Sequence, residues 1–265
     1  MNKGGKNLDY IERTARRLFE NWNSKKPYEA MSGDFAIGSA AEGYEIQLAL
    51  QMLHAPIRGP IVGRKIALAA KTMQEMVGFD APIAGAIFAN DVFSSPAKIN
   101  LSDFVHLGLE FELAVELNSD IVPKLQKHTS QSVANLIAAV RPCFELIEDR
   151  NADYAKLDPY TILADNAWCG GIVLGDPLLN WRDLDLNNIP STVYQEGVAP
   201  EDANTGAADP LGSLAWVLNH LGERGILVSK GEHVITGSAV RTRFPKSGDK
   251  LSYTMQGVAV EISIV

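Results

Sequence analysis

The run Leu107-Gly-Leu-Glu-Phe-Glu-Leu-Ala-Val115 constrains the fold of this chain more than any other segment. Its apolar residues alternate. Leu109, Phe111, Leu113 and Val115 share one face of an extended strand, and Glu110, Glu112 and Ala114 share the other. A strand so patterned buries its apolar side against a core, and its second side must then hold two carboxylates about 7 Å apart at Cα. Like charges that close repel unless water screens them or a cation lies between them. A third carboxylate, Glu145, stands in a second strand-like run, Cys143-Phe-Glu-Leu-Ile147. Three convergent carboxylates form an oxygen-rich site suited to a hard divalent cation. The competing reading of an isolated Glu-x-Glu is the wet face of an antiparallel strand.

The N-terminal fifth has a different period. Leu8, Ile11, Ala15, Leu18 and Phe19 recur at three and four residues, which predicts a helix over 7–22. A loop over 25–38, a second helix over 40–53 and a break over 56–60 around two prolines follow. Residues 62–69 read as a strand and 71–77 as a short helix. Beyond that point the expected strands are 84–88, 109–117, 143–147, 172–174, 192–195, 233–236 and 258–264, with helices over 132–140 and 211–220. Many short strands with few helices predict a mixed, rolled sheet rather than a βαβ repeat. With no linker or repeat in 265 residues, the expectation is one domain over 1–265.

Composition removes several functions. A net charge of −8 argues against nucleic acid as a partner, since phosphate binding needs clustered Lys and Arg. No apolar run approaches the roughly 20 residues that cross a bilayer. Two cysteines cannot make a disulfide framework, and the polar start Met1-Asn-Lys-Gly-Gly-Lys leads into no apolar signal segment, so the expected compartment is the cytoplasm.

Six segments in order carry a resemblance. They are Val62-Gly-Arg-Lys-Ile-Ala-Leu-Ala-Ala-Lys-Thr-Met-Gln74, Phe144-Glu-Leu-Ile-Glu-Asp-Arg150, Ala164-Asp-Asn-Ala167, Gly170-Gly-Ile-Val-Leu-Gly175, Leu214-Ala-Trp-Val-Leu-Asn219 and Gly231-Glu-His-Val-Ile-Thr-Gly-Ser238. Together with the Glu110/Glu112 run they resemble the 2-oxopent-4-enoate hydratase and 4-oxalocrotonate decarboxylase group of the fumarylacetoacetate hydrolase superfamily, over roughly residues 40–265. The resemblance implies an α+β fold, a mixed β-roll over 59–265 with an N-terminal helical segment, 1–58, packed on it. It implies Mg²⁺ or Mn²⁺ held by Glu110, Glu112 and Glu145, and a metal-dependent lyase acting on a short conjugated 2-oxo acid. Such an acid can fill two open positions on an octahedral ion, which polarises its carbonyl and stabilises a dienolate.

The resemblance also makes Lys65 the catalytic base or enolate-stabilising cation, where spacing alone reads as a lysine at a strand end. Ile83, Asp165, Asn166, Gly170 and Ser238 become candidates for substrate binding. Lys71 also matches, in a position that suits an exposed helix residue. Arg150 could pair with a distal carboxylate of the substrate but reads rather as a brace for Glu148 or Asp149, and His106 reads as a surface residue or one behind the ligands rather than a ligand. Departures matter as well. Hydratases of the group tend to carry Lys-Ile-Gly-Leu-Thr-Ser and a Pro-Asp motif, where this chain has Lys65-Ile-Ala-Leu-Ala-Ala70 and Pro82-Ile83. Losing a carboxylate there leans toward decarboxylation, which needs an electron sink but no base to activate water. The alternatives are C–C hydrolysis of an acylpyruvate, for which no His–Glu pair stands at a suitable position, and a non-catalytic partner subunit. A homo-oligomer, or a complex with a hydratase or decarboxylase, is expected.

Overall fold

The computed structural model describes residues 3–123 and 127–265. Two helices, α1 (Lys3–Asn23) and α2 (Ala40–Arg58), precede strand β1 (Ile61–Ala67), helix α3 (Lys71–Val77) and strand β2 (Ile83–Phe88). Short strands β3 (Val92–Ser94) and β4 (Ala97–Ile99) lead into β5 (Leu107–Leu117). Then come α4 (Ser130–Val133), β6 (Ile137–Glu148), α5 (Pro159–Ala164), β7 (Cys169–Leu174), β8 (Pro190–Gln195) and β9 (Val198–Asn204). Helix α6 (Pro210–Glu223) and strands β10 (His233–Ser238), β11 (Lys250–Met255) and β12 (Val258–Ile264) complete the described elements.

Among the described residues the strands form two sheets, ordered β2-β1-β10-β5-β6-β7-β3 and β4-β12-β11-β8-β9. β1 and β10 run parallel, as do β3 and β7, and β5 pairs antiparallel with both β10 and β6. The alternation in β5 explains the layering. Phe111, Leu113 and Val115 point with Phe144 and Leu146 toward Val193, Leu251, Tyr253, Val260 and Ile262 of the smaller sheet, all buried in one cluster. Each such large apolar side chain contributes on the order of 1.5–3 kcal/mol through burial.

The opposite face of the seven-stranded sheet curls on itself, so that β2 packs against β7. Ile87, Ala114, Ile235, Cys143, Cys169 and Ile172, from five different strands, make a second cluster within this curl. The result is an α+β architecture with a mixed, rolled sheet. α1 and α2 pack on each other through Ile11, Leu18, Ile46 and Leu50.

Two expected elements differ. Residues 132–140 are not a helix: α4 ends at Val133, and Ile137 begins the long strand β6. The Ala- and Leu-rich run has helix propensity, but pairing with β5 over its whole length overrides it. The break expected over 56–60 comes later, because α2 runs through Pro56 to Arg58 and stops at Gly59, whose φ of 82° suits glycine. Strand β9, with Pro200 and two acids, carries no strand pattern of its own and is an exposed edge supported by β8.

Candidate active site

In the β5–β6 ladder Glu110 stands directly opposite Glu145, and Glu112 lies two residues further along β5 on the same side. The carboxylates therefore converge inside the roll. One oxygen from each lies within 4.8 Å of the others. An Mg²⁺ ion about 2.1 Å from each oxygen needs them no more than about 4.2 Å apart, so a small rotation of the side chains closes the set.

Glu112 and Glu145 are fully buried and Glu110 is partly buried. Glu112 Oε2 accepts a 2.6 Å hydrogen bond from the Gly237 amide, and Glu110 Oε1 one of 2.8 Å from Thr242 Oγ1. Glu112 Oε1 and Glu145 Oε2, both shielded from solvent, have no hydrogen-bond partner among the described residues. Burial pushes the Glu112 carboxyl well up, and the charges of Glu145 and Glu110 push it further. Burial likewise raises Glu145 to about 7, against the pull of Lys65. Orphaned buried oxygens in a like-charged set are the donor chemistry of a hard cation, and these residues fit one.

Lys65 enters from β1 and is buried. Its Nζ forms an ion pair with Glu145 Oε1 and donates a 3.0 Å hydrogen bond to the carbonyl oxygen of Ala167. Burial pulls the ammonium toward neutrality, but the facing carboxylates outweigh it and hold the pKa above the ordinary lysine value. Lys65 aligns with Gly85, and Ala67 with Ile83, across the β1–β2 ladder. A Cβ at Gly85 would lie 2.8 Å from the carbonyl oxygen of Asn166 and 3.0 Å from Cγ of Lys65, so glycine there makes room for the lysine stem.

The other sequence candidates fall in different places. Ile83 is wholly buried with Ile147 and Trp168 in an apolar cluster that also includes Ala167. Asn166 belongs to a turn in which three consecutive non-glycine residues, Asn166, Ala167 and Trp168, have φ near +50° to +60°. Its side chain holds that turn by bonding both the amide (2.8 Å) and the carbonyl (2.9 Å) of Ala86, and it accepts from Gln51 at 3.0 Å. This turn presents the Ala167 carbonyl to Lys65.

Asp165 is buried in an ion pair with Arg150. The expected brace between the Arg150 side chain and Glu148 or Asp149 is therefore replaced: only the Arg150 backbone amide bonds Glu148, at 3.0 Å. Ser238 aligns with Glu112, yet its hydroxyl accepts from the Phe111 amide at 2.9 Å and donates to the Val240 carbonyl at 2.8 Å. Gly170 precedes Gly171, which stands opposite Leu146 in the β6–β7 ladder. Gly170 backs onto Leu146 and Phe104 and borders a cleft of about 390 Å³ with Trp22 and Arg58. Lys71 is exposed, 3.9 Å from Asp80.

Four contributions were not visible in sequence: the Gly237 amide, Thr242, the Ala167 carbonyl and the pair His106–Asp149. The first three act through backbone or come from segments over a hundred residues from Glu110. The fourth had a signal in the acidic run after Glu145, without any indication of its partner.

No family model matches the chain. It is 30% identical over 192 residues to a 2-hydroxypent-2,4-dienoate hydratase of Pseudomonas putida, covering 71% of this chain and 85% of that protein. It is 28% identical over 236 residues to a 4-oxalocrotonate decarboxylase of Pseudomonas putida, covering 86% of each. In three dimensions it superposes on 4-oxalocrotonate decarboxylase from Pseudomonas putida G7, complexed with magnesium and adipate, with a TM-score of 0.87. That match covers 97% of this chain and 98% of the other at 22% identity. Among the described residues no helix is long and apolar enough to cross a membrane.

Proposed function

This chain belongs to the 2-hydroxydienoate hydratase and 4-oxalocrotonate decarboxylase family of lyases, and from that premise we propose that it hydrates a short conjugated 2-oxo acid of the 2-hydroxypenta-2,4-dienoate type. The observation that carries the reading is the convergence of Glu110, Glu112 and Glu145 beside a buried Lys65. Those three carboxylates would hold Mg²⁺ or Mn²⁺. Once bound, such an ion polarises the 2-oxo group and stabilises negative charge on its oxygen.

The protein's own groups do the rest. Lys65 stays protonated at neutral pH and places a fixed positive charge beside the oxygen that gains electrons, without reorganisation during the reaction. The Ala167 carbonyl and Glu145 fix where that ammonium sits. Ile83, Ile147 and Trp168 surround the carbon chain with apolar surface, which excludes water and strengthens the electrostatics within. The orientation of Lys65 by the Asn166 turn is the part we assign to Asn166, while Asp165 holds Arg150. Gly170 and Ser238 are left with structural positions.

Decarboxylation of a 4-oxalocrotonate-like acid is the second reading, and Ile83 favours it. This residue is fully buried in apolar surroundings where a hydratase would place a carboxylate. Loss of CO₂ uses the same electron sink and needs no base for water. Two buried free thiols, Cys143 and Cys169, are consistent with the cytoplasm as its compartment. A homo-oligomer, or association with a hydratase or decarboxylase, belongs to the same proposal.

Purified protein with Mg²⁺ should bleach the ultraviolet absorbance of 2-hydroxypenta-2,4-dienoate, releasing no CO₂, and chelation should stop it. Faster loss of 4-oxalocrotonate with stoichiometric CO₂ would select the second reading. Inactivity toward both would reject the first two readings together.

A further inference from the structure

The structure brings together a second set of reactive side chains that the cation site does not use. His106 immediately precedes β5, four residues or roughly 13 Å of strand from Glu110. Asp149 immediately follows β6, on the partner strand of the same ladder. Their side chains meet: His106 Nδ1 lies 2.7 Å from Asp149 Oδ1. Asp149 is completely buried, whereas the His106 side chain is 38% exposed.

The pair is well defined. Asp149 also accepts from the Asn151 amide at 2.8 Å and from Tyr154 Oη at 3.0 Å, so it acts as an acceptor throughout. In the neutral ring that places the histidine hydrogen on Nδ1 and the lone pair on Nε2, which has no hydrogen-bond partner among the described residues. Phe244 stacks flat on the imidazole, with ring centres 4.6 Å apart, and the His106 amide is held by Glu148 at 3.1 Å. A histidine whose ring plane, tautomer and backbone are all fixed, with its second nitrogen left available, is arranged as a general base.

Its neighbours connect it to the cation site. Phe244 and Thr242 both press on Gly108, the residue two before Glu110 on the same side of β5, and Thr242 bonds Glu110. Tyr154, bonded to Asp149, is close enough to Glu110 for that charge to help raise its phenol pKa, after burial and Asp149. Tyr154 also packs edge-on against Trp168 of the apolar cluster. The rings of Phe244, His106, Tyr154 and Trp168 thus stand near that end of the roll, and His106 is the imidazole among them.

We propose that His106, oriented by Asp149, is the catalytic base that activates water at the distal end of the substrate. This rests on the lyase reading above, and it supplies the proton-transfer group missing at Ile83. Ketonisation of the dienol removes its hydroxyl proton and adds one at C5, giving a 2-oxo-3-enoate. The water oxygen then bonds to C4 while its proton passes to His106 Nε2, the C3–C4 π pair moves between C2 and C3, and the carbonyl π pair moves onto the 2-oxygen. C3 takes a proton and the carbonyl re-forms. The proton on His106 balances the one gained at C3, and the sum is substrate plus water.

The test separates two activities of one protein with Mg²⁺ bound. Exchange of C3 hydrogens of 2-oxopentanoate in D₂O, followed by proton NMR, needs the electron sink but no distal base. Hydration of 2-hydroxypenta-2,4-dienoate needs both. His106→Gln should lower hydration at least 100-fold, in the range general bases contribute, and leave exchange within threefold of wild type. Asp149→Asn should show the same split less strongly. In His106→Ala, millimolar imidazole should restore part of the hydration. Hydration within threefold of wild type in His106→Gln overturns the proposal alone, as does an equal fall in both activities. A wild-type protein that neither exchanges nor hydrates overturns the hydratase reading, and this assignment with it.

Discussion

Inside the roll three carboxylates face one ammonium, Lys65, whereas one strand end away a single carboxylate, Asp165, faces a single guanidinium, Arg150. Apart from Glu110, which is partly buried, both sets are buried. The Arg150–Asp165 pair is neutral as a whole, and its guanidinium lies over the Trp22 ring at 5.7 Å, so it ties α1 to the loop that follows β6. Burying such a pair costs desolvation that the mutual attraction offsets. The triad keeps an excess of negative charge after Lys65 is counted, and two of its oxygens have no donor. Nothing in folding rewards that excess. Burial of charge is therefore the common feature, and charge imbalance is what marks the candidate cation site.

The sharpest way to break this comparison is to neutralise one member of each set. Glu112→Gln removes a proposed ligand and relieves repulsion. Mg²⁺ affinity by calorimetry and turnover should each fall by about 10³ or more, while the metal-free protein melts no lower than wild type. Asp165→Asn does the reverse. It leaves a buried guanidinium uncompensated, so stability in urea should fall by about 3–5 kcal/mol while the folded fraction retains turnover within a few-fold. If Glu112→Gln destabilises the metal-free protein as much as Asp165→Asn does, the triad is a structural cluster and the distinction collapses.

Lys65→Met sharpens the same contrast with a smaller effect. It keeps the length of the side chain and removes the charge that the proposed function sets beside the developing oxyanion. By analogy with loss of one preorganised donor, kcat should drop about 10² to 10³. The metal-free variant loses the cation paired with the buried Glu145 and should melt below wild type, and saturating Mg²⁺ should recover most of that difference. Wild-type turnover at saturating substrate would remove Lys65 from the chemistry.

What could be read before the structure follows the same division. The alternation of Leu109, Phe111, Leu113 and Val115 made both faces of β5 legible, because a two-residue period assigns every side chain once one face is buried. The long ladder that sets Glu110 against Glu145 was hidden behind 132–140, where local helix formers mask a strand supported only by its neighbour. The turn at Asn166, Ala167 and Trp168 was also illegible, since it takes positive φ at three residues without one glycine. Its conformation comes from the Asn166 side chain gripping Ala86, eighty residues earlier. His106 and Asp149, 43 residues apart, meet only because β5 and β6 end side by side. Elements with their own periodicity could be read, and contacts made by strand ends could not.

The smallest expected effect probes a third kind of buried polar group, one that is kept neutral. His54 packs among Phe19, Trp22 and Phe88, with ring centres 5.1 to 5.9 Å away. Burial drives its pKa down to about 3, and the charges of Arg58 and Arg150 push in the same direction. The unfolded chain protonates near pH 6.5 and the native state does not. The contribution of this residue is therefore fully present above about pH 6.5 and is lost as pH falls toward 3. Between pH 7.5 and 5.5 the wild type should lose roughly 1.4 kcal/mol from this residue, as one group protonating only in the unfolded state. Urea titrations of wild type and His54→Leu at the two pH values measure it: the variant is less stable at both, but its loss between them should be smaller by that amount. Equal losses would mean that His54 is solvated or paired in solution, and the neutral cluster at the α1–α2 interface would no longer stand as the third case.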